Sequence, residues 1–130
     1  MRILIAEDDF TSRLFMKKFL SPSGTCDVAM NGMEAIELVM NSMKMKNSYD
    51  LICLDIMMPK VDGIKALKTI REIELTSLPE GSKASKIIMT TALNDKATVE
   101  DAYEYGCEAY AWKPIDIEKF NEVLKKLELI

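Results

Sequence analysis

The sequence predicts one α/β domain of the doubly wound class, in which helices cover both faces of a parallel sheet. Short apolar runs alternate five times with stretches of helical periodicity, which is the (βα)5 pattern. The apolar runs are almost uninterrupted, as expected of strands buried on both faces of a parallel sheet. A length of 130 residues fits a single domain, residues 1–130, with a core of its own.

The predicted elements follow one another in a regular order. Strands are predicted over 3–6, 26–30, 51–54, 87–91 and 109–112. Helices are predicted over 10–20, after the Asn31-Gly32 turn, over 63–74, from about Asp95 to Gly106, and after a cap at Asp116. Two polar stretches, 43–50 and 75–86, are predicted to be long loops.

Composition excludes several classes of function. The net charge of −4 gives no basic surface for nucleic acid, so direct contact with nucleic acid is not expected. No apolar stretch is long enough for membrane insertion and no signal peptide opens the chain, so we expect a cytoplasmic protein. The absence of histidine excludes histidine acid–base catalysis, histidine metal ligands and a phosphohistidine in this chain. Cys26, Cys53 and Cys107 are expected to be free buried thiols.

Polar and charged residues follow four of the predicted strands. Because the carboxyl ends of parallel strands meet at one edge of the sheet, these residues are expected to converge there. The set consists of Glu7, Asp8 and Asp9 after the first strand, Asp55 at the end of the third, Thr90 and Thr91 at the end of the fourth, and Lys113 after the fifth.

The chemistry of this set favours phosphoryl transfer. Clustered carboxylates repel one another unless a cation joins them, and all-oxygen ligands suit Mg²⁺. On its own, Asp55 could be a metal ligand or a nucleophile. With a metal beside it, a cation from Lys113 and a threonine hydroxyl, Asp55 could accept a phosphoryl group as an acyl phosphate.

At this point the chain resembles the receiver domain of two-component response regulators, over essentially its whole length. The resemblance rests on the acidic group after strand 1, on Asp55-x-x-Met58-Pro59-x-x-Asp62-Gly63, on Thr91-Ala92 and on Lys113-Pro114. It implies a flavodoxin-like strand order 2-1-3-4-5. It also implies Mg²⁺-dependent phosphotransfer to Asp55 from the phosphohistidine of a sensor histidine kinase. Such a protein catalyses its own phosphorylation and dephosphorylation but acts mainly as a signalling switch.

The resemblance also assigns the metal site. Its four positions are Glu7, Asp8, Asp55 and the backbone carbonyl of Met57. The acidic pair could be Glu7-Asp8 or Asp8-Asp9. Arg13 lies six residues after Glu7, as an arginine often does in the family, and this favours Glu7-Asp8. Asp9 would then begin the first helix, where a carboxylate suits the helix dipole.

The phosphoryl contacts and the switch carry over in the same way. Thr91 and Lys113 would contact the phosphoryl group, and Thr91 and Tyr110 would switch the helix 4–strand 5–helix 5 face to control an unknown protein partner. Tyr110 could instead only pack, with its hydroxyl at the surface. Trp112 has the same strand parity, and both core packing and partner contact are open for it. Dimerisation on phosphorylation is also left open.

Two positions depart from the family pattern. Met57 is apolar where the family often has a polar residue, so its side chain cannot position the water that hydrolyses an acyl phosphate. We therefore predict slow self-dephosphorylation. Leu93, two residues after Thr91, likewise offers no polar group.

Rival interpretations fit the residues less well. A haloacid-dehalogenase-type phosphatase needs a second aspartate where Met57 stands. A flavodoxin-like FMN carrier needs a phosphate loop where the acidic triplet would repel phosphate. A degenerate receiver normally lacks one of the key residues, all of which are present. The chain looks like a stand-alone regulator, but a relay to a His-containing transfer protein or a domain excised from a larger regulator is also open.

Overall fold

The structure, a computed structural model, describes residues 1–92 and 96–130. The strands are β1 (Arg2–Ala6), β2 (Thr25–Ala29), β3 (Leu51–Asp55), β4 (Lys86–Thr91) and β5 (Ala109–Trp112). The α-helices are α1 (Phe10–Leu20), α2 (Gly32–Lys44), α3 (Gly63–Ser77), α4 (Lys96–Glu104) and α5 (Ile117–Lys126). A short 3-10 helix, Ser21–Ser23, links α1 to β2.

The five strands form one parallel sheet in the order β2-β1-β3-β4-β5. This confirms the predicted fold class and strand order. The chain moves outward from β1 to β2 and then returns to β3 on the other side of β1. Such a reversal opens a crevice at the carboxyl ends of β1 and β3, which is where ligands bind in open α/β sheets.

Alternating residues of the strands feed two hydrophobic clusters, one on each face of the sheet. Leu4 and Ile52 belong to a cluster with side chains of α2 and α3. Ile3 and Ile5 belong to a second cluster with side chains of α1 and α5. Burying one aliphatic side chain of this size stabilises the folded state by about 1.5–3 kcal/mol. The two clusters therefore fix both helical layers on the same sheet.

Short polar side chains start four of the helices. Asp9, Asn31, Asp62 and Asp116 each accept a hydrogen bond from the backbone N–H three residues ahead, at the start of α1, α2, α3 and α5. This capping satisfies N–H groups that have no partner within the helix. The cap predicted at Asp116 is confirmed.

Some predicted boundaries were wrong. Helices α2 and α3 continue to Lys44 and Ser77, so both predicted loops are shorter than expected. The start predicted for α4 at Asp95 lies outside the described residues. The described part of α4 ends at Glu104, and Gly106 then adopts a φ of 102°, a conformation that suits glycine after a helix.

A partly buried ionic cluster, the Arg71 cluster, lies at the amino-terminal ends of β4 and β5. The Arg71 guanidinium donates to the carbonyls of Gly106 (2.7 and 3.0 Å) and Ser85 (2.8 Å) and to the carboxylates of Glu74 (2.6 Å) and Glu108 (2.8 and 2.9 Å). These contacts join α3 to the segments that enter β4 and β5. The cluster therefore holds the sheet edge opposite the strand ends that carry the acidic residues.

Two further expectations concern the cysteines and membrane insertion. All three cysteines are free thiols, but Cys26 is only half-buried, whereas Cys53 and Cys107 are buried. Among the helices of residues 1–92 and 96–130, none combines the length and the hydropathy needed to cross a bilayer.

Candidate functional site

Three carboxylates meet at the carboxyl ends of β1 and β3. Glu7 directly follows β1 and Asp55 is the last residue of β3; both are buried, at 3% and 4% exposure, while Asp8 is exposed. One ligand oxygen from each of the three lies within 4.8 Å of the others. The fold therefore brings together residues that are 48 positions apart in the sequence, as the topology requires.

Lys113 places a positive charge between the two buried carboxylates. Its ammonium donates to Glu7 Oε1 at 2.7 Å and approaches Asp55 Oδ2 at 3.4 Å. The backbone N–H of Lys113 donates to the carbonyl of Thr91 at 2.8 Å, which ties the end of β5 to that of β4. Burial alone would lower the pKa of Lys113, but the hydrogen bond to Glu7 and the charge of Asp55 raise it above its ordinary value.

Glu7 has a strongly raised pKa. Burial raises the pKa of Glu7 from 4.5 to about 7, and the neighbouring Asp55 carboxylate adds to the rise, although Lys113 counteracts it. Glu7 Oε2 is buried and has no hydrogen-bond partner among the described residues. A buried carboxylate oxygen without a donor, beside a second carboxylate, is a group that a cation or a proton would stabilise. The all-oxygen donor set fits Mg²⁺.

The remaining acid of the triplet has a different position. Asp9 begins α1, where its Oδ2 accepts from the Ser12 N–H at 2.9 Å; this backbone hydrogen bond lowers the pKa of Asp9. The guanidinium of Arg13 donates to the carbonyls of Glu7 (2.9 Å) and Asp8 (3.3 Å). The carboxylates close to Asp55 are thus those of Glu7 and Asp8, the register that Arg13 favours in the sequence.

The loop between β3 and α3, residues 56–62, continues directly from Asp55. Ile56 and Met58 turn into the core, whereas the side chain of Met57 is 59% exposed. The Met57 N–H donates to Asp55 Oδ1 at 3.3 Å. The loop therefore holds the Asp55 side chain from one side, while Lys113 contacts it from the other.

The two predicted switch residues lie on the face of the sheet that carries α2 and α3. Thr91 is fully buried at the end of β4, and Tyr110 is buried in the same hydrophobic cluster as Met89. The hydroxyl oxygen of Tyr110 is buried too, so its expected position at the surface was wrong. Whether Tyr110 switches or only packs stays a prediction. The ring of Tyr110 lies 4.9 Å from that of Trp112, which is 46% exposed and outside both clusters.

Comparison with known proteins identifies the family. The family model for the response regulator receiver domain matches residues 3–125 of the chain. The chain belongs to this family. It is therefore a receiver domain of the two-component phosphorelay type.

Individual relatives support the same assignment. The chemotaxis protein CheY of Bacillus subtilis is 33% identical over 127 residues, which cover 96% of this chain and 95% of CheY. Hybrid signal transduction histidine kinase B of Dictyostelium discoideum is 36% identical over 120 residues, 88% of this chain but only 6% of that kinase. A chain of the CheX–CheY–BeF3–Mg complex from Borrelia burgdorferi superposes with a TM-score of 0.81 at 28% identity, covering 98% of this chain and 89% of that one. The receiver domain thus spans nearly all of one relative and a small part of another.

Thr90 was placed among the strand-end residues by the sequence but was assigned no role in the predicted site. Thr90 lies opposite Asp55 in the β3–β4 ladder, and its carbonyl accepts from the Ile56 N–H at 3.1 Å. Thr90 also lines a cavity together with Glu7 and Lys113, whereas Thr91 does not. Strand alternation carried this signal: Thr90 has the parity of Ile88, which packs against α1 and α5.

That cavity, of about 280 Å³, opens beside the phosphoacceptor candidate between β1, α1 and the segment after β5. Its walls are largely apolar and include Phe15, Met16 and Ile115. The adjoining surface of α1 exposes Phe10, at 66%, and Leu14. The receiver domain therefore has an apolar, partly concave surface immediately next to its charged site.

Proposed function

We propose that this receiver domain accepts a phosphoryl group from the phosphohistidine of a sensor histidine kinase onto Asp55, in a Mg²⁺-dependent reaction. The observation that carries the proposal is the environment of the Asp55 carboxylate. It is buried at a strand end, contacts the ammonium of Lys113, and lies beside an acidic group that contains a buried oxygen without a donor. Such a site combines a nucleophile with sources of positive charge, which is what phosphoryl transfer requires.

Four groups would hold the metal: the carboxylates of Glu7, Asp8 and Asp55, and the backbone carbonyl of Met57. When bound, Mg²⁺ supplies positive charge that neutralises the incoming phosphoryl oxygens. The solved complex from Borrelia burgdorferi, which contains CheY, BeF3 and Mg²⁺, supports this proposal by similarity.

The transfer itself needs no proton from the acceptor. An ionised Asp55 oxygen attacks phosphorus, an O–P bond forms, and the P–N bond to the donor imidazole breaks with its electron pair remaining on nitrogen. The products are an acyl phosphate on Asp55 and a histidine that has lost its phosphoryl group. The Lys113 ammonium, now shared between Glu7 and Asp55, would turn to the phosphoryl oxygens, and the Thr91 hydroxyl would donate to one of them.

The surface beside the site suits a protein donor. Glu7 and Lys113 line the neighbouring cavity and also belong to the charged site around Asp55. A phosphohistidine that reaches Asp55 therefore brings the rest of its protein over that cavity. The exposed apolar side chains of α1, Phe10, Leu14 and Phe15, would then be covered by an apolar face of the donor. Burial of this surface would give a protein donor an advantage over a small phosphodonor.

The signal would leave through the α4–β5–α5 face. Thr91 and Tyr110 would rearrange together on phosphorylation, and the half-exposed Trp112, whose ring is in contact with that of Tyr110, would report the change at the surface. A protein partner, or a second copy of the chain, would bind that face. We further propose that residues 1–130 form a single domain, which the family match over residues 3–125 supports, and that this domain acts in the cytoplasm.

A labelling experiment tests the proposal. The protein is incubated with acetyl phosphate with and without Mg²⁺, and an acid-stable, base-labile phosphoryl adduct is expected only with the metal. The matched variant is Asp55→Asn, which keeps the size of the side chain but removes the nucleophile. Absence of an adduct in the wild-type protein, or undiminished labelling of the variant, would overturn the proposal. Size-exclusion chromatography of the labelled sample reports dimerisation.

A further inference from the structure

Gly32, the first residue of α2, lies against the loop that carries Met57. A Cβ atom on Gly32 would lie 1.9 Å from the carbonyl oxygen of Val61, 2.7 Å from its carbonyl carbon and 2.9 Å from its Cβ. Two of these three atoms are backbone, so a rotation of a side chain cannot relieve the overlap. Any residue other than glycine at position 32 must push the loop away from α2 or displace the start of the helix.

The loop has little freedom to absorb such a push elsewhere. At its start the Ile56 N–H donates to the carbonyl of Thr90 at 3.1 Å, and at its end the Gly63 N–H donates to the carbonyl of Ile56 at 2.8 Å. A Cβ on Gly63 would lie 2.2 Å from the carbonyl oxygen of Asp55, so the end of the loop also packs directly against β3. A displacement at Val61 would therefore reach the segment between these two anchors.

We infer that Gly32 is a positioning residue for the metal site: by letting the loop pack closely on α2, it sets the place of the Met57 carbonyl relative to Asp55. The inference rests on the proposed function, because it concerns the metal that the site would hold. Gly32 is not one of the proposed metal ligands. It acts through Val61, whose side chain packs against the hydrophobic cluster under the loop. Residues that orient metal ligands in this indirect way change metal affinity about 10–100-fold when they are substituted.

A second glycine provides a matched control. A Cβ on Gly24 would lie 2.1 Å from the carbonyl oxygen of Met1 and 2.9 Å from its carbonyl carbon, an overlap of the same kind. Gly24, however, directly precedes β2, at the amino-terminal edge of the sheet. Substitution there should destabilise the fold by a comparable mechanism without reaching the strand ends that form the site.

The experiment compares Gly32→Ala with Gly24→Ala. Mg²⁺ affinity is measured by isothermal titration of the folded proteins with MgCl₂, well below their unfolding temperatures, and thermal unfolding is followed separately by circular dichroism in EDTA. We expect both variants to unfold at lower temperature than the wild type. Only Gly32→Ala should also bind Mg²⁺ more weakly, by about tenfold or more. Labelling by acetyl phosphate should then require correspondingly more Mg²⁺.

A variant of Val61, the loop residue that faces Gly32, makes the test independent of whether Gly32→Ala folds. Val61→Ala shortens the side chain that anchors the loop and should weaken Mg²⁺ binding in the same direction. Wild-type Mg²⁺ affinity in either folded variant, or an equal loss of affinity in Gly24→Ala, would overturn the inference. These results differ from a failure of the proposed function, in which the wild-type protein itself would bind no Mg²⁺ or would form no adduct at Asp55.

Discussion

Replacing Glu7 by glutamine should stabilise the metal-free protein at alkaline pH. The pKa of Glu7 is raised to about 7 by burial and by the neighbouring Asp55 carboxylate, against an ordinary value of 4.5. Because the folded-state pKa is the higher one, the contribution of this group to stability is fully present below about pH 4.5. It is lost as the pH rises through about 7, where the folded protein has to hold a buried carboxylate next to Asp55.

The structure sets the magnitude of the effect. The difference between 4.5 and about 7 corresponds to at most about 3 kcal/mol, at about 1.4 kcal/mol for each pKa unit. Glutamine has nearly the same shape and cannot ionise, and Lys113 keeps Asp55 as a partner in the variant. Relative to wild type, Glu7→Gln should therefore gain up to about 3 kcal/mol of unfolding free energy between about pH 4 and about pH 8.

Urea denaturation followed by circular dichroism in EDTA measures this difference at both pH values. The same titration with Mg²⁺ at about pH 8 should reverse the order, because the metal stabilises the folded wild-type protein and the variant lacks one of its ligands. A stability difference between the two proteins that does not change with pH would refute the reasoning, and so would an equal stabilisation of both by Mg²⁺.

Three further predictions concern the loop, the Arg71 cluster and α1. Met57→Asn should speed the loss of phosphate from the labelled protein at least about tenfold, since an amide can position water; an unchanged or slower loss, followed by radiolabel, contradicts this. Arg71→Met should lower the unfolding free energy in urea by about 3–5 kcal/mol, because the buried carboxylate of Glu74 loses its partner, while the exposed Lys68→Met serves as control. Phe15→Ala should slow phosphotransfer from a histidine-phosphorylated donor protein about tenfold yet leave labelling by acetyl phosphate unchanged, and equal effects on both donors would exclude α1 as the donor surface.

Most of the fold was predictable because its determinants are local. Uninterrupted apolar runs mark the strands, and caps such as Asp116 mark where helices begin. The end of α3 was not predictable, because it depends on a distant contact. The helix continues past Glu74, whose carboxylate accepts from Arg71 and from the N–H of Ser85, eleven residues further along the chain. A local pattern of turn residues after Glu74 does not reveal that pairing.

The candidate site, too, was predictable in part from the sequence. That acids, threonines and a lysine converge at one edge follows from parallel topology alone, and so could be read from the sequence. The finer arrangement depends on side-chain rotamers and on sheet twist. These decide that Lys113 lies closer to Glu7 than to Asp55 and that the hydroxyl of Tyr110 is buried. Strand parity could have identified Thr90 as a cavity residue, but the proximity of Lys113 to Glu7 spans 106 positions and has no local signature.

The charged cluster is assembled from the ends of separate strands, so it exists only in the folded protein. Glu7, Asp55 and Lys113 become neighbours only when β1, β3 and β5 lie in one sheet. A chain that is unfolded or still being synthesised cannot bring these charges together and would not react with a phosphodonor. Only folded molecules would therefore become phosphorylated on Asp55, and unfolded molecules would contribute nothing to the signal.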